Sequence, residues 1–238
     1  MPHHHSIERT LLIVAKEPRP GQVKTRLGAT IGYDQAAQLY HAFTCDTLRV
    51  AATLGATRLA LAHWPAEAAA HFRRAMPQGA LVFAQQGADF GLRLNHAFTQ
   101  AALAGATRMV LIGTDSPSLP LRNIEQAFAH LADPAIDVVL GPCTDGGWYL
   151  MGLRTPQPAL FQEIAWSTEI VYAQTVRRIK ACGLALATLP AWYDVDTAAD
   201  LPHLAADLAA RADAAESATL RVLAPLLASQ EHSRWKIG

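Results

Sequence analysis

The 238-residue chain reads as an α/β protein, a mostly parallel, twisted sheet with helices on both faces. Three observations predict this. Short apolar runs with β-branched content alternate with longer Ala- and Leu-rich segments of helical period. Gly55, Gly105 and Gly183 stand where several of those helical segments should stop. The chain is 51% hydrophobic, enough for one sizeable core, so a single domain over residues 1–238 is the simpler reading.

Strand-like runs cover residues 11–15, 58–63, 80–84, 109–113 and 137–140. Helical segments cover 34–54, 65–76, 92–104, 121–131 and 167–181. After Leu140 the pattern changes, because Gly141-Pro142 and Asp145-Gly146-Gly147 punctuate a loop before Trp148–Leu153, a candidate edge strand to which an antiparallel sense is open. A last strand at 185–189 leads into Asp194-Val195-Asp196-Thr197, where Thr197 is suited to cap the following helix. Helices at 198–212 and 216–227 close the chain, making 198–238 a C-terminal helical region. In sheets of this kind ligands gather at the carboxyl ends of the strands.

Composition excludes several partners. Twenty basic side chains balance twenty acidic ones, so no whole-chain field attracts nucleic acid or an anionic membrane, and any anion site must be local. Cys45, Cys143 and Cys182 lie far apart without a CxxC pair, which argues against a zinc site or a disulfide framework. No apolar run approaches the ~20 residues of a membrane span, and no signal-peptide core is present. The expectation is a cytoplasmic protein. Residues 1–8, with His3, His4 and His5, read as a disordered tail without a role.

Residues 11–27, LLIVAKEPRPGQVKTRL, are the most informative stretch. A buried strand empties into a Pro/Gly loop around Gly21 that carries Lys16, Lys24 and Arg26, and then into a helix, which suits a phosphate. The loop lacks the Walker A spacing, and a solvated basic turn is the bland alternative. Asp115 should stand just past a central strand, with Pro117 and Pro120 delaying the next helix. A carboxylate held there suits Mg²⁺ or Mn²⁺, although an Asx-turn accounts for the same residue. Asp194 and Asp196 form a D-x-D whose side chains share one side of an extended segment, so both could reach one cation or simply favour a helix start.

Six segments, AKEPRPGQVKTRL, GADFGLRLNHAF, LIGTDSPSLP, GPCTDGGWYLMGL, IAWSTEIV and YDVDTAADL, together resemble the radical-SAM/selenodomain-associated transferases, a branch of the GT-A nucleotide-diphospho-sugar transferase superfamily. More distantly the chain is similar to molybdenum-cofactor nucleotidyltransferases and 2-phospholactate guanylyltransferase. The resemblance implies a Rossmann-like GT-A fold, a nucleotide at the carboxyl edge and a divalent metal, Mg²⁺ or Mn²⁺. It assigns Lys16, Gly21, Lys24 and Arg26 to a phosphate loop, and Asp115 and Asp196 to the metal, with Asp194 a lesser candidate. Gln85, Gln86, Gly87, Asp89 and Gly91 fall in the region that in relatives lies against the nucleobase or ribose. Asp145-Gly146-Gly147 falls on the acceptor side, where Trp148 departs from the family's usual Tyr, and Trp166 either lines that pocket or belongs to the core.

Two reactions use such groups. In glycosyl transfer from a nucleotide-diphospho-sugar, metal and cations neutralise the departing diphosphate while a small acceptor attacks the anomeric carbon. In nucleotidylyl transfer, a phosphorylated acceptor attacks the α-phosphorus of a nucleoside triphosphate and diphosphate leaves. Lys24, Asp115 and Asp145 are the candidate catalytic residues, Asp145 as general base. Glycosyl transfer is preferred because the nearer resemblance carries more motifs. A nucleotide-binding regulator without turnover is the third reading. The base, sugar, acceptor and oligomeric state are not legible.

Overall fold

The computed structural model describes residues 9–234, with side chains described to residue 228; the N-terminal tail assigned to residues 1–8 and the last four residues lie outside the described residues. Seven strands form one sheet: β1 (Arg9–Lys16), β2 (Arg58–Trp64), β3 (Leu81–Ala84), β4 (Arg108–Ile112), β5 (Val138–Pro142), β6 (Trp148–Leu153) and β7 (Leu186–Thr188). Their order is β3-β2-β1-β4-β6-β5-β7, and only β6 runs antiparallel to its neighbours. The helices are α1 (Thr25–Ile31), α2 (Tyr33–Ala51), α3 (Ala69–Ala75), α4 (Phe90–Leu103), α5 (Leu121–Ala132), α6 (Val171–Ala181), α7 (Leu201–Ala209) and α8 (Ala218–Arg234).

Strand β1 explains the layering. Its apolar run has no polar alternation because both faces are covered, as expected of a central parallel strand. Leu11, Ile13 and Ala15 join one core with the end of α2, Phe72 of α3 and Phe128 of α5. Leu12 points the other way, into a second core with Leu94 and Phe98 of α4 and Ile179 of α6. A third core, remote from the sheet centre, packs Leu27 of α1 and Phe43 of α2 against Leu204 of α7 and Leu223 of α8.

Two sequence expectations need correction. Trp148–Leu153 has the antiparallel sense but is no edge strand, since it pairs with β4 on one side and β5 on the other and is buried from Tyr149 onward. The edges are β3 and β7. The helix expected from Ser167 starts at Val171, because Ser167 takes a left-handed φ of 64° and the next residues form a loop. Two further helical segments are split: 65–76 into a 3₁₀ turn and α3, and 198–212 into a 3₁₀ turn and α7.

The strand order reverses between β1 and β4, which are neighbours in the sheet although β2 and β3 intervene in sequence. At such a reversal the connections leave in opposite directions and open a crevice beyond the carboxyl ends. Lys16 ends β1 at this point, and Asp115 lies three residues past the end of β4.

Candidate active site at the carboxyl edge

The loop after β1 turns at Arg19, whose N–H donates to the Glu17 carbonyl at 2.8 Å, and Gly21 is exposed at its tip. Lys24 closes it in left-handed backbone, φ 45° and ψ 47°, as the residue before α1. That conformation sends its side chain inward. Only 4% of the side chain is exposed, and its ammonium is ion-paired with Asp115 Oδ1 and, at 3.0 Å, with Asp196 Oδ1. Burial works against the charge, but Asp115 and Asp196 outweigh it and hold the Lys24 ammonium above the ordinary lysine range. Arg26 Nη1 lies 3.5 Å from Asp196 Oδ2, and its side chain is 74% exposed.

The acids arrive from two loops that are themselves joined. Val195 N–H donates to the Asp115 carbonyl at 2.9 Å, and the Ser116 hydroxyl donates to Asp194 Oδ1. Asp200 fixes the D-x-D turn by accepting from the N–H groups of Asp196 (3.0 Å) and Thr197 (2.7 Å) and from the Thr197 hydroxyl (2.9 Å). Thr197 thus opens the 3₁₀ turn at 198–200 in a capping box, as its position promised. Burial and the nearby Asp115 charge raise Asp194 far above the usual carboxylate range. Asp145 Oδ1 accepts from Gly147 N–H at 2.8 Å, and ligand atoms of Cys143, Asp145 and Asp194 lie within 4.8 Å of one another. Burial and the charges of Asp194 and Asp145 push the Cys143 thiol up to about 12.

Tyr40 of α2 was not singled out in the sequence, yet it ties the two central strand ends together. Its buried hydroxyl accepts from Lys16 N–H at 3.0 Å and from the Thr114 hydroxyl at 2.8 Å. Burial and Asp115 raise it to about 12, so it stays a neutral phenol. Its partners lie 24 and 74 residues away, so no local motif announces it. Ser116 and Asp200 were missed as well, although the Thr197-x-x-Asp200 spacing is itself a capping signature.

The expected residues divide into two groups. Lys24, Arg26, Asp115, Asp194 and Asp196 come together, with Asp145 beside Asp194. Lys24 meets the acids rather than open space, so Lys16 and Arg26 are the exposed cations of the loop. The stretch after β3 is partly committed to the fold. Gln85 is buried and its amide donates to the carbonyls of Ala62 (2.9 Å) and Ala15 (3.4 Å), while Asp89 caps α4 through Leu92 N–H at 2.8 Å. Gly91 is buried where a Cβ would stand 2.6 Å from the Phe161 carbonyl oxygen, whereas Gln86 and Gly87 are exposed at the carboxyl edge.

The acids also suit a hard divalent ion. Asp115 and Asp196 present carboxylate oxygens that already share one cation and are half-exposed, the oxygen donors that a hard ion takes. No helix among the described residues is long and apolar enough to cross a membrane.

The fold recurs in solved structures. A "putative nucleotide-diphospho-sugar transferase" from Desulfovibrio desulfuricans G20 superposes with a TM-score of 0.84 at 34% identity, covering 93% of this chain and 96% of that one. A cytidylyltransferase from Leptospira borgpetersenii gives 0.53 at 12% identity, covering 95% of each chain. The inositol-1-phosphate CTP transferase from T. maritima gives 0.52 at 11%, covering 90% of this chain and 96% of that one. At the lower identities the likeness is one of fold, and it agrees with the Rossmann-like architecture expected from the sequence. No protein of curated function matches. Residues 47–168 match the family model DUF2064, described as "Uncharacterized protein conserved in bacteria", and with the match to the Desulfovibrio protein this establishes that the chain belongs to that family.

Proposed function

We propose that the protein is a metal-dependent glycosyltransferase that moves a sugar from a nucleotide-diphospho-sugar to a small acceptor, and that residues 1–238 act as one nucleotide-binding domain in the cytoplasm. The observation that carries this is the meeting of Lys24, Asp115 and Asp196 at the reversal of strand order, beside two exposed cations. Its similarity to the Desulfovibrio protein supports the same chemistry. The six sequence motifs further support placement in the radical-SAM/selenodomain-associated branch.

In this reading Asp115 and Asp196 hold Mg²⁺ or Mn²⁺, with Asp194 turned toward Ser116 as the lesser ligand. The ion, when bound, supplies Lewis-acid neutralisation of the diphosphate oxygens. Lys24 keeps the two carboxylates at one spacing. Lys16 and Arg26 take the charge that grows on the departing nucleoside diphosphate as the anomeric C–O bond breaks. The acceptor oxygen forms the new bond to that carbon and its proton passes to Asp145. Gln86 and Gly87, exposed beyond β3, are the candidates to meet the nucleobase or ribose.

The test is a product assay with Mn²⁺, nucleotide-sugars and nucleoside triphosphates offered as panels. Release of nucleoside diphosphate from a nucleotide-sugar is expected. Diphosphate from a triphosphate would replace the reading with nucleotidylyl transfer. Nucleotide binding without product, insensitive to Asp115→Asn, would identify a regulator.

A further inference from the structure

Lys24 stands in the place proposed for the ion. Its ammonium contacts Asp115 Oδ1 and, at 3.0 Å, Asp196 Oδ1, so the two oxygens that face each other across the site are the two it holds. The remaining oxygens are turned elsewhere. Asp196 Oδ2 lies 3.5 Å from Arg26 Nη1, and Asp115 Oδ2 is turned toward Gly113, 3.8 Å from where a Cβ there would stand. A hard ion shared by Asp115 and Asp196 needs their oxygens at about 2.1 Å. Its centre would fall within the volume of the ammonium, and the two positive charges would repel at close range. Ion and ammonium cannot hold the pair together.

The main chain around Lys24 leaves the side chain a way out. The side chain is only 4% exposed, yet the residue as a whole is half-buried, so its backbone lies at the surface, next to exposed Thr25 and Arg26. Rotation about side-chain bonds, with α1 left in place, carries the ammonium outward. There it joins Lys16 and Arg26, the exposed cations of the same loop. Three positive groups so placed attract a polyanion.

We propose that Lys24 and a divalent ion are alternative occupants of the Asp115–Asp196 pair, and that the ion releases the ammonium to the loop after β1. This rests on the metal-dependent transferase reading and adds a coupling between its two ligands. A diphosphate that engages the released ammonium keeps the ion's competitor away, and by reciprocity the ion strengthens diphosphate binding.

The test follows Lys24 itself. The full chain is methylated briefly with formaldehyde and a borane reductant, and each lysine is read by peptide mass spectrometry, with exposed Lys180 of α6 as the reference. In chelator Lys24 should react much more slowly than Lys180. Saturating Mn²⁺ alone should raise the Lys24 rate severalfold and leave Lys180 unchanged, and nucleoside diphosphate added with Mn²⁺ should lower it again. Without nucleotide, Lys24→Met should bind Mn²⁺ roughly tenfold more tightly than the wild type, by electron paramagnetic resonance of the free ion, as expected where the competing state holds about nine-tenths of the molecules. Arg26→Met removes one charge beside the same carboxylate without opening the ion's place, so it should gain far less. A Lys24 rate unmoved by bound Mn²⁺, or equal gains in the two variants, would overturn the exchange and leave the transferase reading standing. Release of Lys24 by Mn²⁺ with no protection by any nucleoside diphosphate would sink the transferase reading and leave the exchange standing.

Discussion

Lys24 adopts a left-handed backbone conformation that costs a residue with a Cβ roughly 1–2 kcal/mol, and the ion pairs at its tip are what the conformation secures. Replacing it with methionine keeps most of the volume and removes the charge, leaving Asp115 and Asp196 to repel each other. The expected outcome for Lys24→Met is a lower Tm in chelator than the wild type, with most of the deficit recovered on adding Mn²⁺ as a substitute cation. Equal thermal shifts for both proteins in both conditions would remove Lys24 from the carboxylate site. Asp115 and Asp196 were legible in the sequence because one stands just past a strand end and the other in a D-x-D, and Lys24 because it lies in the cationic loop between β1 and α1. What could not be read was the direction of the Lys24 side chain, which depends on one backbone angle, and the role of Tyr40, whose partners are remote in sequence.

At the scale of elements, the loop before α6 is set by close approach at Gly146, where φ is 89° and a Cβ would fall 1.9 Å from the Glu169 carbonyl oxygen. No side chain fits without displacing residues 166–170, and Trp166 with them. Gly146→Ala should therefore cost about 2 kcal/mol or more, measured by denaturant unfolding. Stability equal to wild type would show that the two loops are not in contact. The strands were largely legible because β1 and β4 are continuous apolar runs bounded by loop residues. The interior place of β6 was not, since a buried antiparallel strand and an edge strand can carry the same apolar pattern and only the pairing partners separate them.

Across the whole molecule, the C-terminal helices brace the element that holds the site. Asp46 of α2 is buried and accepts from the Ser217 hydroxyl (2.8 Å) and the N–H groups of Ala218 (2.9 Å) and Thr219 (2.8 Å), capping α8. Arg49, one turn along α2, donates to Asp213 at 2.8 Å and to Glu216 at 3.2 Å. The same helix carries Tyr40, so α8 is linked through α2 to the ends of β1 and β4. Tyr193 adds a second brace, accepting from Ser118 at 2.9 Å and donating to Asp207 of α7 at 2.7 Å. Hydrogen bonds and charge from Arg211 and Arg49 hold Asp213 well below the usual carboxylate range. Its unfolded form binds a proton more readily, so this stabilisation is full above about pH 5 and is lost as pH falls through the lower folded value. Asp213→Asn should lower the Tm at neutral pH and flatten its decline in acid. A parallel decline in both proteins would show that the Arg49 network does not secure the C-terminal helices.

The most direct measurement is calorimetric titration of nucleoside diphosphates, with and without Mn²⁺, into the wild type and into Asp115→Asn and Asp196→Asn. Saturable binding that requires Mn²⁺ in the wild type and is lost in both variants, with their folds retained by circular dichroism, is the predicted result. Metal-independent binding, or wild-type affinity in either variant, would contradict the claim that these two acids and Lys24 make one metal-assisted diphosphate site.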